Sequence, residues 1–202
     1  MCGRYFLEEE ALRDVLEQIR GRYQGMPELE LLKLGEIAPS ETAPVVTAQG
    51  CRLMRWGFAR PGSKGLIINA RAETALERGM FAQCAKSRRL VVPAAGYYEW
   101  RKLGKDDKAK CTISRADGPI YMAGLWRQEP DQKLPSFVIL TTDAAPQLEH
   151  IHDRMPLLLG RDQLRAWLWD DEAALRILRD ARGGAEVTAT GIGPEQMDFL
   201  RQ

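Results

Sequence analysis

Short apolar runs separated by turn residues fill the middle of this chain of 202 residues and limit the folds that it can adopt. Six of them have the length and the β-branched and aromatic content of strands. They cover residues 45–48, 51–58, 90–100, 110–114, 120–126 and 136–141. Helices do not alternate with these runs in a regular way, so a doubly wound parallel sheet is excluded. The pattern predicts a mostly antiparallel, barrel-like sheet.

Helical periodicity surrounds and interrupts the strand-rich region. The predicted helices cover residues 8–20, 73–84, 145–150, 161–169 and 171–181. We also expect a charged hairpin loop at 102–110 and a short strand near 186–190. Because no repeat or linker divides the chain, and because domains average about 150 residues, we predict a single compact α+β domain with peripheral helices.

Composition excludes several kinds of site. The 29 basic and 28 acidic residues leave a net charge of +1, so bulk charge does not indicate a nucleic-acid partner. The cysteines lie at positions 2, 51, 84 and 111. They form no Cys-x-x-Cys pair, and His150 and His152 are the only histidines, so we expect no metal site and no cofactor. The sequence contains neither a signal-like apolar segment nor a membrane-length apolar run. We therefore predict a cytoplasmic, monomeric protein with reduced thiols and no membrane association.

Cys2 is the most informative single residue. Removal of Met1 would leave a terminal residue that carries an α-amine and a thiol on adjacent carbons. About one-sixth of an α-amine with a pKa near 7.7 is neutral at pH 7, far more than of a lysine amine. Such an amine forms a Schiff base with an aldehyde, and the neighbouring thiol then closes a thiazolidine ring. The alternative is a cysteine that merely follows the initiator Met.

Asn69 and Arg71 follow an apolar segment at a predicted strand-to-helix junction. Asparagine at such a junction most often caps a turn. The functional alternative is an amide that orients a reacting group, with Arg71 binding an anion beside the start of the helix. Residue type alone leaves both interpretations open.

Glu99 and His152 are candidates for proton transfer. Glu99 lies within an apolar and aromatic run, where burial would raise the pKa of its carboxyl towards the range useful for acid–base catalysis. A strand glutamate that points to water is the alternative. His152 precedes Pro156 in a segment that must form a loop, where it is either a proton-transfer group or a structural histidine.

Four ordered motifs together resemble one known family. They are Met-Cys-Gly-Arg at 1–4, Asn-Ala-Arg-Ala-Glu at 69–73, Gly-Tyr-Tyr-Glu-Trp at 96–100 and His-Asp-Arg-Met-Pro at 152–156. The chain resembles the SRAP family (SOS-response-associated peptidase), whose members are abasic-site processing proteins. Trp-Gly-Phe at 56–58 and Ala-Pro at 38–39 also fit. The resemblance spans residues 2–190 and leaves 191–202 as a C-terminal tail.

The resemblance implies a protein that binds single-stranded DNA containing abasic sites. Cys2 would join the ring-opened aldehyde in a stable thiazolidine crosslink that shields the site from strand cleavage and is reversible. The family is also described as removing its own initiator Met, hence the peptidase label, and a bacterial member would associate with the nucleoid. The implied catalytic residues are Cys2, Asn69, Glu99 and His152. The implied DNA-binding residues are Arg4, Arg71, Arg154, Trp56 and Phe58.

By matching motif, Asn69 would orient the Cys2 amine or the sugar, and Glu99 would act as acid and base in sugar opening. His152 would assist proton transfer at the sugar hydroxyl and reversal of the crosslink. Two departures from the family pattern stand out. Glu36 replaces an asparagine that usually precedes Ala-Pro, and no asparagine follows Val187. The position of Glu36 is therefore doubtful as a DNA contact.

Other classes of function compete with this interpretation. Met-Cys-Gly also opens N-terminal-cysteine amidohydrolases of the glutamine amidotransferase type, but their Asn-Gly and Arg-Gly-Pro-Asp-like elements are missing from this sequence. A non-covalent single-stranded DNA-binding module is a second alternative. A protease that acts on other proteins is a third. Crosslinking and glutaminase assays distinguish these alternatives.

Overall fold

Thirteen strands and four α-helices make up the part of the chain that the structure describes. The structure is a computed structural model that describes residues 2–19, 33–104 and 107–181. The strands are β1 (Arg4–Leu7), β2 (Gly35–Ile37), β3 (Thr42–Thr47), β4 (Gly50–Trp56), β5 (Phe58–Ala59), β6 (Leu66–Ile67), β7 (Asn69–Arg71), β8 (Arg89–Ala94), β9 (Gly96–Lys102), β10 (Lys108–Ser114), β11 (Ile120–Arg127), β12 (Ser136–Asp143) and β13 (Arg154–Pro156). The helices are α1 (Glu9–Gln18), α2 (Gly79–Ser87), α3 (Gln163–Trp169) and α4 (Asp171–Asp180).

Five of these strands pair in a closed ring. Their order is β11-β8-β3-β4-β12, and β12 pairs again with β11. Closure removes exposed strand edges from this part of the sheet. β7 and β13 extend the sheet along β12. Only the pairings of β12 with β4 and with β7 are parallel among the described strands, so the predicted antiparallel, barrel-like architecture is confirmed.

A second sheet contains four strands in the order β10-β9-β1-β2, so the N-terminal strand β1 is an inner strand. Alternate side chains of a strand point to opposite faces. Tyr5, Tyr97 and Glu99 are buried on one face. Arg4 and Tyr98, which pair across β1 and β9, lie on the other face and are partly or fully exposed. The first residues of the chain thus pass between neighbouring strands.

Gly96 divides the predicted strand 90–100 into two strands that belong to different sheets. Ala95 interrupts β8 and β9, and its backbone N–H donates to the Phe6 carbonyl at 2.9 Å. A Cβ at Gly96 would lie 2.5 Å from the Ile113 carbonyl oxygen, so β10 can approach only a glycine. The expectation of one continuous strand is therefore wrong.

Gly57, with φ +117°, similarly ends the predicted strand 51–58 at Trp56. Phe58 belongs to β5, which pairs with β6 in a separate two-stranded ribbon. A positive φ of this size is unfavourable for any residue with a Cβ.

The predicted helix 73–84 is confirmed only over residues 79–84, and the predicted helix 145–150 is wrong. Residues 73–84 form a 3-10 turn at Ala72–Thr74 and then a separate helix α2, because Arg78 is extended and starts a new helix at Gly79. Residues 145–150 form successive turns, held by bonds such as Leu148 N–H to the Ala145 carbonyl at 2.8 Å. The strand near 186–190 lies outside the described residues.

The helices lie at the periphery. α1 and α3 pack on β8, α2 packs on β8 and β11, and α4 packs on α3 and α2. The predicted helix 8–20 is observed as α1, which buries Leu12, Val15 and Leu16 on one face. None of the helices in the described ranges has the length and apolarity needed to cross a bilayer.

Trp56 links the two sheets through the core. Its fully buried ring lies 5.3 Å from Tyr5 of β1 and is stacked 6.2 Å from Phe137 of β12. Its indole Nε1–H donates to the Ile68 carbonyl at 3.0 Å. The bond fixes the backbone immediately before Asn69.

We predict that Trp56→Phe destabilises the fold by about 1–3 kcal/mol, because the Ile68 carbonyl loses the indole donor and keeps only the Ile139 N–H, and because the smaller ring leaves a cavity between Tyr5 and Phe137. Urea denaturation followed by circular dichroism measures the effect. Trp126→Phe, at a half-buried position of β11, is the matched control and should cost less. Equal losses at both positions would contradict a special role for the indole bond.

Candidate active site

The structure places Cys2 in the interior, beside the start of β1. Its side chain is fully buried, and its thiol lies 3.6 Å from the Arg4 carbonyl oxygen. The Asn69 amide Nδ2 donates to the Cys2 carbonyl at 2.8 Å. This contact joins two residues separated by 67 positions and ties the N-terminal segment to β7 of the barrel.

Glu99 lies close enough to Cys2 to affect its ionisation. Burial, reinforced by the negative charge of Glu99, raises the pKa of the Cys2 thiol well above its usual range. Glu99 is itself 4% exposed, and one of its carboxylate oxygens accepts from the Trp100 backbone N–H at 3.2 Å. The thiol is therefore protonated at neutral pH, beside a buried carboxyl group.

Tyr5 and Tyr97 were not singled out from the sequence, yet they adjoin the same site. The two residues pair across β1 and β9, and burial, followed by the charge of Cys2, raises the phenol pKa of each. Both hydroxyls, and Oδ1 of Asn69, are buried without a hydrogen-bond partner among the described residues. Unpaired buried polar atoms are uncommon in folded proteins. Here they surround Cys2, where a polar ligand can satisfy them. The sequence did contain a signal for Tyr97: residues two apart on a strand lie on the same face, and Tyr97 is two residues from Glu99 on β9.

Arg71 and Arg154 occupy different environments. Arg71 is exposed at the end of β7. Arg154 is buried, and its guanidinium donates to both carboxylate oxygens of Glu73, at 2.8 and 2.9 Å, and to the Thr141 carbonyl at 2.8 Å. It also contacts Asp143. These groups occupy both Nη atoms of Arg154, and its Nε is buried without a partner among the described residues, so the observed contacts of Arg154 are structural.

The Arg154–Glu73 pair holds two parts of the site together. Desolvation is the largest single influence on Glu73 and opposes its ionisation. The hydrogen bonds from Arg154 and the backbone, together with the charges of Arg154 and Arg71, outweigh it and hold the pKa of this carboxyl below its usual range. Glu73 follows Asn69 and Arg71 along the chain, whereas Arg154 follows His152. The pair therefore fixes the Asn69 segment against the His152 turn, and this structural contact explains why both motifs contain a charged residue.

His152 lies in the turn before β13, with its side chain 30% exposed. Its Nδ1 accepts from the Arg154 backbone N–H at 3.0 Å and lies 2.6 Å from an Asp153 carboxylate oxygen. One nitrogen cannot accept from the first group and donate to the second. The bond from Arg154 requires an Nδ1 without a proton, whereas a hydrogen bond to Asp153 requires a proton on the same nitrogen. His152 therefore has one available partner for either state of Nδ1.

Trp56 and Phe58 do not form the expected stacking surface for DNA, because both rings have 0% exposure. Trp56 packs between Tyr5 and Phe137. Phe58 contacts Phe81 and is covered by the Arg127 guanidinium, 4.3 Å from the ring centroid. Both rings therefore pack in the core. Residue type in a motif does not distinguish an aromatic side chain that packs in the core from one that stacks on a DNA base.

Arg4 is another of the predicted DNA contacts, and its side chain is 46% exposed. It forms an ion pair with Glu36 of the adjacent strand β2. For metals, the described ranges contain no group of three or more His, Cys, Asp or Glu residues placed to hold an ion.

The assembled groups suit condensation with a small carbonyl compound. A terminal cysteine in the Cys2 position would present an amine and a neutral thiol next to Glu99. Asn69 fixes the backbone of that residue, which limits the directions from which an electrophile can approach. The exposed cations Arg4 and Arg71 lie on β1 and β7. The Cys2–Asn69 bond joins the residues just before β1 to the first residue of β7.

Comparison with known proteins identifies the family. The model of the SOS response associated peptidase (SRAP) family matches residues 1–192. The chain is 34% identical over 181 residues to the abasic site processing protein YoqW of Bacillus subtilis, with 83% of this chain and 80% of that protein covered. It is 33% identical over 214 residues to the abasic site processing protein YedK of Escherichia coli, with 96% and 88% covered.

Solved structures share the fold. A phage-related protein from Bordetella bronchiseptica superposes with a TM-score of 0.71 at 26% identity and covers 88% of both chains. A protein from Bacteroides thetaiotaomicron gives the same TM-score at 22% identity and covers 88% of this chain and 86% of its own. With the family model matched over nearly all of its length, this chain belongs to the SOS response associated peptidase (SRAP) family.

Proposed function

We propose that this protein captures abasic sites in single-stranded DNA through a covalent bond to Cys2. Removal of Met1 frees the α-amine of Cys2. This amine and the Cys2 thiol then condense with the ring-opened aldehyde to give a thiazolidine. Removal of Met1 is part of the proposal, and the peptidase named in the family description is consistent with self-processing at this bond. The names of YoqW and YedK, both abasic site processing proteins, support the substrate.

One observation carries the proposal most directly: the backbone of Cys2 is held by Asn69 while its buried thiol lies beside Glu99. A cysteine that merely followed the initiator Met would not need an interior position or a bond from a distant strand.

The chemistry balances without a cofactor. The amine adds to the aldehyde carbon, and loss of water leaves a C=N bond. The sulfur then adds to the same carbon, and the S–H proton passes to the nitrogen, so the net change is the loss of one water. A Schiff base that stayed open would acidify the neighbouring C–H and promote β-elimination, which cleaves the DNA strand. Ring closure removes the C=N bond, which explains why a thiol is required next to the amine.

Glu99 is the proposed proton carrier in this sequence. Because the Cys2 thiol is protonated at neutral pH, the amine attacks first and the sulfur needs a base at ring closure. A buried carboxylate next to the thiol supplies that base, and in its acid form it protonates the departing hydroxyl. Asn69 Oδ1 and the Tyr97 hydroxyl are both without a partner among the described residues, and in this proposal they bind hydroxyl groups of the open sugar.

His152 and the exposed arginines complete the proposal. The partly exposed ring of His152 transfers protons at the sugar hydroxyl and assists reversal of the crosslink. Arg4 and Arg71 bind phosphates that flank the abasic site. Because a covalent bond holds the bound state, a few phosphate contacts are sufficient, in agreement with the net charge of +1.

We expect an adduct between the mature protein and an oligonucleotide with one abasic site. Intact mass spectrometry should show loss of Met1 and then a gain equal to the DNA minus one water. The same oligonucleotide with an intact nucleotide should give no adduct.

Cys2→Ser is the matched control for the role of sulfur, because it keeps the α-amine and loses the thiol. It should yield no stable adduct and should leave strand-cleavage products from the open Schiff base. A crosslink of undiminished yield in Cys2→Ser would refute the thiazolidine, and loss of Met1 with no adduct in the wild type would favour an amidohydrolase or a non-covalent binder.

Glu99→Gln should separate the electrostatic and catalytic effects of the carboxyl. Removal of the negative charge lowers the pKa of the Cys2 thiol, so alkylation of Cys2 should begin at lower pH, while crosslinking at pH 7 slows by about 10²-fold or more. Peptide mapping follows alkylation, with the buried Cys84 as an internal reference. A wild-type crosslinking rate would restrict Glu99 to a structural role.

Arg71→Gln and Arg154→Gln should affect different properties, the first DNA binding and the second stability. Arg71→Gln should weaken binding to single-stranded DNA and reduce the magnitude of its salt slope by about 0.7 for each phosphate that the protein no longer neutralises. Arg154→Gln should instead reduce stability by about 1–3 kcal/mol, because Glu73 loses its buried partner. Fluorescence anisotropy at several salt concentrations and urea denaturation measure the two effects. An unchanged slope in Arg71→Gln would show that this side chain makes no phosphate contact.

A further inference from the structure

Three charged side chains meet on the outer face of the four-stranded sheet. Glu36 of β2 uses both carboxylate oxygens: one accepts from Arg4 of β1, and the other accepts from Lys110 Nζ at 3.0 Å. β2 and β10 are the two edges of this sheet, so Lys110 reaches over the intervening strands. Its ammonium group lies 3.7 Å from the centroid of the Tyr98 ring, which supports it on the way.

This cluster lies on the reverse side of the strands that build the active site. Arg4 pairs with Tyr98, and the next residue along β9 is Glu99. Lys110 precedes Cys111, which pairs with Glu99. Arg4 is two residues from Cys2, a distance of at most about 7 Å along an extended backbone. If an abasic sugar reaches Cys2 as proposed above, a neighbouring phosphate of the same strand would come within reach of Arg4.

Stability does not account for the arrangement. Each side chain is exposed by between 35% and 46%, and ion pairs with that degree of exposure contribute about 0–1 kcal/mol. The bonds from Lys110, followed by those from Arg4, hold the pKa of the Glu36 carboxyl below its usual range, so it is ionised at neutral pH. The Glu36 carboxylate accepts hydrogen bonds from an arginine and a lysine. The same two kinds of donor bind the oxygens of a phosphodiester.

We propose that Arg4 and Lys110 form a phosphodiester-binding site for single-stranded DNA and that Glu36 is an internal competitor that a phosphate displaces. The inference rests on the proposed capture of abasic single-stranded DNA. By occupying both cations in the free protein, Glu36 keeps binding to undamaged DNA weak. Selection of the abasic site then falls to the covalent step at Cys2, since an intact nucleotide offers no aldehyde.

Glu36→Gln tests the competition directly. Binding of a fluorescent oligothymidylate without abasic sites is measured by anisotropy over a series of NaCl concentrations, with the full-length protein. Without the carboxylate, the two cations are available to phosphate. We expect binding that is several-fold tighter at low salt and a salt slope that is steeper by about 0.7–1.4, equivalent to the neutralisation of one or two more phosphates.

Two further variants make the result specific. Glu172→Gln removes the same charge from the exposed face of α4, where Glu172 is 90% exposed, and should bind as the wild type does. Adding Lys110→Met to Glu36→Gln should remove about 0.7 from the slope. An equal gain in Glu172→Gln would show a general charge effect and overturn the proposal. Wild-type or weaker binding by Glu36→Gln would also overturn it, and Glu36→Ala, expected to act in the same direction, checks that result independently.

Crosslinking of an abasic oligonucleotide by the wild-type preparation is measured in parallel. Absence of a crosslink would refute the proposed function. The anisotropy series uses undamaged DNA and does not depend on Cys2 chemistry, so it decides the role of Glu36 in either case.

Discussion

The hydrogen bond from the Asn69 amide to the Cys2 carbonyl is the contact on which the organisation of the site depends. It joins the N-terminal strand to the barrel at the point where Trp56 already holds the Ile68 carbonyl. Tyr5, three residues further along from Cys2, rests on the same indole. Two consecutive residues of the barrel, Ile68 and Asn69, are thereby fixed, and Cys2 is held in position by the fold itself. A chain terminus, which is usually mobile, becomes part of the core.

The four-stranded sheet gives each of its faces a different electrostatic character. On the buried face, desolvation and Glu99 keep the Cys2 thiol protonated, which in the proposed mechanism favours attack by the amine before addition of the sulfur. On the outer face, Arg4, Glu36 and Lys110 remain ionised in contact with solvent. Because β1 and β9 contribute to both faces, the same two strands hold the residues of the proposed covalent chemistry and of the proposed phosphate contacts.

The sequence predicted the fold class and drew attention to Cys2, Asn69 and Glu99, because motif order and hydrophobic pattern are local properties that can be read directly. The errors have a common cause: residue type does not state where a side chain points. Arg154 looked like a phosphate contact and is bound to Glu73, whereas Trp56 looked like a stacking surface and is buried. The break at Gly96 was missed because it depends on the close approach of β10, a contact between distant segments.

By itself, the sequence determined the strand-rich α+β architecture, a cysteine at position 2, and the order of the four motifs. These follow from alternation, composition and bond connectivity, none of which requires knowledge of distant contacts. Only the tertiary structure decided that Asn69 holds Cys2, that Glu99 is buried beside the thiol, and that Glu36 bridges Arg4 and Lys110. Each of these depends on strand register and burial, which arise when segments separated by tens of residues pack together and exclude water.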